Sequence, residues 1–113
     1  MRISNTSKNT VLATDCSVAD TFFKRFMGLM GRKVLEKGSG LIITPCNSIH
    51  MCFMKFSLDV VFIDSSNTVV YMIEEIKPWR VSKLVSKAHS VIELPVGTIA
   101  ASETQPGDRL EIK

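Results

Sequence analysis

A mostly β single domain is the fold this sequence predicts: one compact sheet curled into a small barrel, with one short N-terminal helix packed on it (α+β by strict count). Three observations predict it. From Met54 to Phe62 every even position is apolar while Lys55, Ser57 and Asp59 are polar, a period of two that belongs to a strand. Six or seven short apolar runs recur along the chain, separated by Gly, Pro, Asn and Asp. One stretch, Val18 to Met27, instead carries apolar residues at helical spacing.

Taken in order, residues 1–9 read as a polar and loose opening, and residues 10–14 as a first strand. A helix is expected to start at Asp15-Cys16-Ser17, with Ser17 as N-cap and Asp20 as its partner three residues on. Val18, Phe22 and Phe26 form one apolar row and Ala19, Phe23 and Met27 the next, so the helix should pack on the core. Lys24 and Arg25 fall in its last turn, where the macrodipole favours cations, and Gly28 ends it. Residues 28–35 are a glycine-punctuated connector; they lack the full spacing of a phosphate loop.

Residues 41–44 read as a buried strand ended by Pro45, which has no amide hydrogen to give a neighbour. A loop, 46–49, leads into the central strand. Asp64-Ser65-Ser66-Asn67 then turns the chain into a second strand, 68–76, which makes an antiparallel hairpin with Asn67 at a positive-φ position and Glu74 and Glu75 toward solvent. Lys77-Pro78-Trp79-Arg80 breaks the pattern, and 81–89 is a basic surface connection. Residues 90–94 return to strand, 95–98 turn, and 99–101 form a short extended piece. Gln105-Pro106-Gly107-Asp108 fits a type II turn before a final edge strand, 109–112.

A chain of 113 residues with 45% hydrophobic and 22% charged content can bury a core without staples, as one domain spanning 1–113. Its net charge of +3 is uneven: residues 1–56 carry eight Lys/Arg against three Asp/Glu, and the remainder six against eight. A nucleic-acid binder would need a denser basic stripe beside a recognisable module, so no nucleic-acid partner is expected. Cys16, Cys46 and Cys52 make an odd count without disulfide-framework spacing, which together with the absence of an export signal points to a reduced, cytoplasmic setting. No run reaches the ~18 apolar residues of a membrane span. A soluble monomer is the expectation.

Several motifs add a resemblance. Gly28-Leu29-Met30-x-Arg32-x-x-Leu35, then Gly40-Leu41, then Met54-Lys55 with Leu58-Asp59-Val60 and Phe62-Ile63, then Glu93-Leu94-Pro95-x-Gly97 and Gly107-Asp108 are similar to the domain-of-unknown-function 192 family, also called uncharacterised protein family 0127. The likeness covers about residues 10–112. Its Pro45-Cys46-Asn47-Ser48-Ile49-His50 segment resembles the version found in many Gram-positive bacteria, and implies a bacterial member. The resemblance implies a small, mainly β domain and no defined activity. Cys52 stands where relatives tend to have Phe or Trp, and Ser57 where they usually have Pro; the first argues against a shared catalytic thiol.

The chemistry-bearing residues cluster in the central stretch. Cys46, His50 and Cys52 have the look of a metal set, C-x₃-H-x-C, but the usual zinc spacings differ and no second pair follows, so no metal and no cofactor are expected. Cys46 with His50, oriented by Asp59, could form a nucleophilic triad; a buried structural thiol is the competing reading. Asp59, flanked by Leu58 and Val60, is costly to bury unless satisfied, either as an anchor for backbone amides or as part of a site. The favoured function is a small polar ligand held near His50, Lys55 and Asp59, with Trp79 as a flanking platform or a lid over the core edge, and with hydrolysis as an open extension. The alternative is a non-enzymatic module in which Trp79 and the basic segment 80–87 contact a protein or an anionic polymer.

Overall fold

The computed structural model describes residues 1–113, apart from the side chain of Phe22. It contains eight strands and two short helices: β1 (Ile3–Asn5), β2 (Thr10–Ala13), β3 (Asp15–Ala19), α1 (Phe22–Met27), β4 (Ser39–Ile43), β5 (Leu58–Ile63), β6 (Val69–Ile76), β7 (Ser90–Leu94), α2 (Thr98–Ser102) and β8 (Leu110–Ile112). The mostly β expectation holds; the barrel does not. The strands form a five-stranded sheet ordered β3-β4-β7-β5-β6 and a three-stranded sheet ordered β2-β1-β8. β3 and β6 stand at opposite edges of the larger sheet, so it stays open.

The reason lies at the termini. Residues 3–5, expected to be loose, form the middle strand of the small sheet, pairing antiparallel with β2 on one side and β8 on the other. Ile3 and Asn5 are fully buried there. Both chain ends are therefore drawn into a layer of their own instead of extending the larger sheet to closure.

The expected helix start at residue 15 is also corrected. Residues 15–19 are instead a strand that runs parallel to β4, with Cys16 and Ala19 buried on its opposite faces and Asp15 and Ser17 exposed. The helix begins only after Thr21, whose side chain accepts a hydrogen bond from the Lys24 amide as an N-cap. Gly28 ends it as expected, at φ +48°. The helix does not pack its aromatic stripe on the core: Phe23 and Phe26 are exposed. Phe22, from the same expected row, lies outside the described side chains. Residues 98–102, expected to be extended, are the helix α2.

The hairpin β5–β6 forms as the alternation predicts, with Asn67 at φ +62° in its turn. β5 begins at Leu58, four residues later than the pattern suggests, and all six of its residues are buried. Its even positions, Leu58, Val60 and Phe62, enter one hydrophobic cluster together with Leu41, Ile43 and Val91. Its odd positions, Val61 and Ile63, enter a second with Ile42, Ile92 and Leu94. The five-stranded sheet thus has two apolar faces. The small sheet and α2 cover the second through Ile3, Leu12, Ile99 and Leu110. Irregular segments cover the first: the connector after α1 through Leu29 and Leu35, the loop 44–57 through Ile49, Met51 and Met54, and the loop 77–89 through Val85.

Candidate functional site

The carboxylate of Asp59 is 1% exposed and points with Val61 and Ile63 toward the second face. One oxygen accepts the amide of Glu75 at 2.9 Å; the other accepts those of Gly97 at 3.1 Å and Ile99 at 2.9 Å. Gly97 and Ile99 bracket the first turn of α2, whose N-terminal amides lack intrahelical partners. Asp59 is therefore the remote N-cap of α2 and at the same time a clasp on β6 where its pairing with β5 shifts register, Leu58 facing Ile76 but Val60 facing Ile73. His50 lies across the sheet from it, and the Cys46–His50–Asp59 triad does not assemble.

The first face carries a different acid. Glu93, next to Leu94 on β7, is 4% exposed, and burial pushes its carboxyl up to about 7. Its Oε1 is buried with no donor, and among the described residues nothing donates to its side chain. A small cavity of about 40 Å³ adjoins it, whose lining includes Arg25, Gly28, Cys46, Ser48, His50 and Met54. The backbone of Gly28 roofs this space: a Cβ built there would lie 3.8 Å from Glu93 Oε1 and 4.0 Å from Ile43. Positive φ makes the position costly for other residues.

Around this cavity the predicted residues separate. Cys46 and His50 both line it. The Cys46 thiol donates to the carbonyl of Ser48 at 2.9 Å, and burial outweighs that bond to raise its pKa. A thiol held in its protonated form is a poor nucleophile. His50 is half-buried; its Nδ1 accepts the Cys52 amide at 3.3 Å, and its ring lies 6.0 Å from that of Phe26. Lys55 is exposed on the same loop. Trp79 is 62% exposed, so it is no lid over the core; its ring meets that of Phe53 edge-on at 4.9 Å. Among the described residues no group of three or more His, Cys, Asp or Glu side chains is placed to hold a metal ion.

Glu93 was legible by the same rule that singles out Asp59. Val91-Ile92-Glu93-Leu94 sets a carboxylate in an apolar strand, and such a group needs a partner or a proton. The strand pattern alone does not say which face of the sheet the acid occupies.

The chain matches the model of the DUF192 family, described as Uncharacterized ACR, over residues 3–112. A UPF0127 protein of Thermococcus sibiricus is 40% identical over 111 residues, covering 95% of this chain and 71% of that protein. Another, from Pyrococcus furiosus, is 35% identical over 112 residues, covering 95% and 94%. These relatives are archaeal, which overturns the expectation of a bacterial, Gram-positive-type member. Among solved structures, a protein of unknown function from Novosphingobium aromaticivorans superposes with a TM-score of 0.83 at 22% identity, covering 98% of this chain and 82% of that one; this likeness is one of fold. A putative transcription regulator from Sinorhizobium meliloti gives a TM-score of 0.81 at 26% identity, with 97% and 89% covered. With nearly its whole length matched by the family model and by relatives more than a third identical, the chain belongs to the DUF192/UPF0127 family.

Proposed function

We propose that the cavity over Glu93 receives a hydrogen-bond donor of a small polar ligand, an amine above all, with His50 and Cys46 lining the place it enters. The observation that carries this reading is the buried, unpartnered Oε1 of Glu93. Buried polar atoms are nearly always paired, and the exceptions concentrate where a ligand or a proton completes the site. A cavity of about 40 Å³ takes one functional group, not a whole molecule, so the rest of the ligand would lie outward across His50 and the exposed ring of Phe26. Lys55 and Trp79 stand on the adjoining loops as outer contacts. Asp59 serves by holding α2 from the other side of the sheet. The reading is one of binding; the protonated state of Cys46 gives hydrolysis no support.

The test is thermal shift with a panel of small primary amines, amides and polyols at pH 6 and pH 8, on the wild type and on Glu93→Gln. An ammonium group pairs with the ionised carboxylate, so amines should stabilise the wild type more at pH 8 than at pH 6, and Glu93→Gln should remove the difference. Equal shifts in both proteins, or none with any compound, would refute the reading. A second reading, a non-enzymatic interaction module built on Trp79 and residues 80–87, is supported by the exposure of that ring beside Arg80 and the nearby Lys83 and Lys87.

A further inference from the structure

The three segments that cover the first face of the large sheet, 20–37, 44–57 and 77–89, have a composition unlike the rest of the molecule. They carry ten of the fourteen Lys/Arg and two of the eleven Asp/Glu, a net +8 in a chain of +3. Nine of those ten cations are exposed. The same segments carry seven of the ten large hydrophobic side chains that are exposed among the described residues. The coincidence is local as well as compositional. Phe26 of α1 touches the His50 ring, and His50 bridges to Val81. Trp79 and Met51 are joined by an amide-to-carbonyl bond of 2.8 Å, and Phe53 stacks edge-on against Trp79. Phe26, Val81, Phe53 and Trp79 are thus linked through these contacts, with Lys55 and Arg80 exposed on the same turns and Lys77 paired to Glu75 at 3.4 Å.

That surface is held in place against its own preferences. Phe53 has φ +63° and Trp79 φ +69°, a region that bulky side chains rarely adopt and that persists where surrounding structure enforces it. The enforcement is visible: Met54 N–H donates to Met51 carbonyl, Met51 N–H to Arg80 carbonyl and Arg80 N–H to Lys77 carbonyl, in addition to the Trp79 bond. The two turns lock each other with both aromatic rings turned to solvent.

We infer that this face docks on an anionic lipid surface, with Phe53, Trp79 and Val81 entering the headgroup boundary and the surrounding cations meeting the lipid charges. The inference rests on the interaction-module reading and names its partner. Charge complementarity selects an anionic partner, since each Lys or Arg near such a surface adds to binding. Exposed apolar side chains with flanking cations suit an interface where rings and aliphatic groups leave water while ammonium groups stay in it. Single-stranded nucleic acid would also use Trp79, through stacking, but it offers nothing to Val81, Val34 or Leu84, all exposed on the same segments.

Trp79 is the single tryptophan of the chain, so its emission reports on the proposed contact directly. The full chain is mixed with phosphatidylglycerol vesicles, with phosphatidylcholine vesicles, and with oligo-dT. The expected result is a blue-shifted emission with the anionic vesicles, quenched by bromine-labelled acyl chains, and a partition at least about tenfold stronger than to the neutral vesicles. Val81→Glu, an exposed position, should weaken the partition at least about fivefold with the melting temperature unchanged. Co-sedimentation with no change in Trp79 emission would overturn the proposal. Binding to oligo-dT without binding to vesicles would also overturn it while leaving the interaction module standing. Binding to neither would overturn the lipid proposal and, with it, the anionic-polymer form of the interaction module.

Discussion

Asp59 and Glu93 lie on neighbouring strands one pair out of step, Asp59 opposite Leu94 and Val60 opposite Glu93, and their side chains face opposite sides of one sheet. Both are almost wholly buried. Their settlement differs: three backbone amides surround the Asp59 carboxylate, whereas Glu93 has no donor among the described residues and is pushed up to about 7 by burial. An ionised group taken out of water is tolerated when hydrogen bonds replace its hydration, and otherwise takes up a proton. These two acids of the sheet thus meet opposite conditions, one ringed by amides and one without a donor among the described residues, on either side of a single layer.

The clasp at Asp59 predicts a specific lesion. Asp59→Asn keeps the size but leaves one acceptor oxygen and one NH₂ group, which confronts an amide that has nowhere else to donate. Removing a buried charged acceptor costs about 2–4 kcal/mol, read as a lower urea midpoint. The Gly97 and Ile99 amides should lose hydrogen-exchange protection well before those of β5. A variant with the wild-type midpoint would contradict this account of α2.

That pair of acids also shows how far the sequence could be read. The alternation around Leu58–Ile63, the turn at Asn67, the Pro45 stop and the Pro106-Gly107 turn are local signals, and each produced the element it implied. What failed were assignments decided by partners far away in the chain. Residues 3–5 have no strong pattern of their own; they become a strand because β2 and β8 flank them. Residues 15–19 suit a helix start equally well until pairing with β4 claims them. The buried acid in Leu58-Asp59-Val60 was visible as an expense, but the amides that meet it come from residues 75, 97 and 99. The imidazole expected beside it stands on the other face, because spacing along a strand and loop does not say which side of a sheet a loop will cover.

The small sheet is tied by a polar knot that yields a second prediction. Asn5, fully buried, donates to Thr104 at 3.1 Å and to Asp108 at 2.9 Å, and Lys8 reaches Asp108 at 2.8 Å. Burial acts to raise the Asp108 pKa, but hydrogen bonds from Asn5, Lys8 and the Gln105 amide outweigh it and hold the carboxyl below its ordinary value. Asn5→Ala should lose about 2–3 kcal/mol by stranding these partners. A depressed carboxylate contributes stability at neutral pH that is lost as pH falls through its folded pKa, so Asp108→Asn should flatten the acid limb of the wild-type curve below about pH 4. Parallel acid limbs in the two proteins would exclude the knot as a source of acid sensitivity.

His50 separates site from scaffold. Its ring is half-buried, accepts one backbone amide and rests against an exposed phenylalanine, a setting with little stability to lose. His50→Ala should cost no more than about 1 kcal/mol in urea unfolding, within the range of a single partly exposed hydrogen bond, while reducing any amine-induced thermal shift. A loss of several kcal/mol would mark the ring as a structural part of the loop 44–57.

Glu93 supplies the prediction with the clearest sign. Its carboxyl is raised from 4.5 to about 7 in the folded chain, so between those values the folded state holds a proton that the unfolded state has released. Stability from this group is complete below pH 4.5 and is lost as pH rises to about 7, beyond which both states are ionised. The difference corresponds to roughly 3 kcal/mol, as an order of magnitude. Glu93→Gln has the same shape with no charge to expose, so it should match the wild type near pH 4.5 and exceed it at pH 8. The mutant should show no decline assignable to this position across the interval. Urea midpoints measured at half-unit steps from pH 4.5 to 8 decide it: curves that stay parallel throughout would mean that Glu93 is ionised and solvated in the folded protein, and the cavity above it would then hold no unmet acceptor.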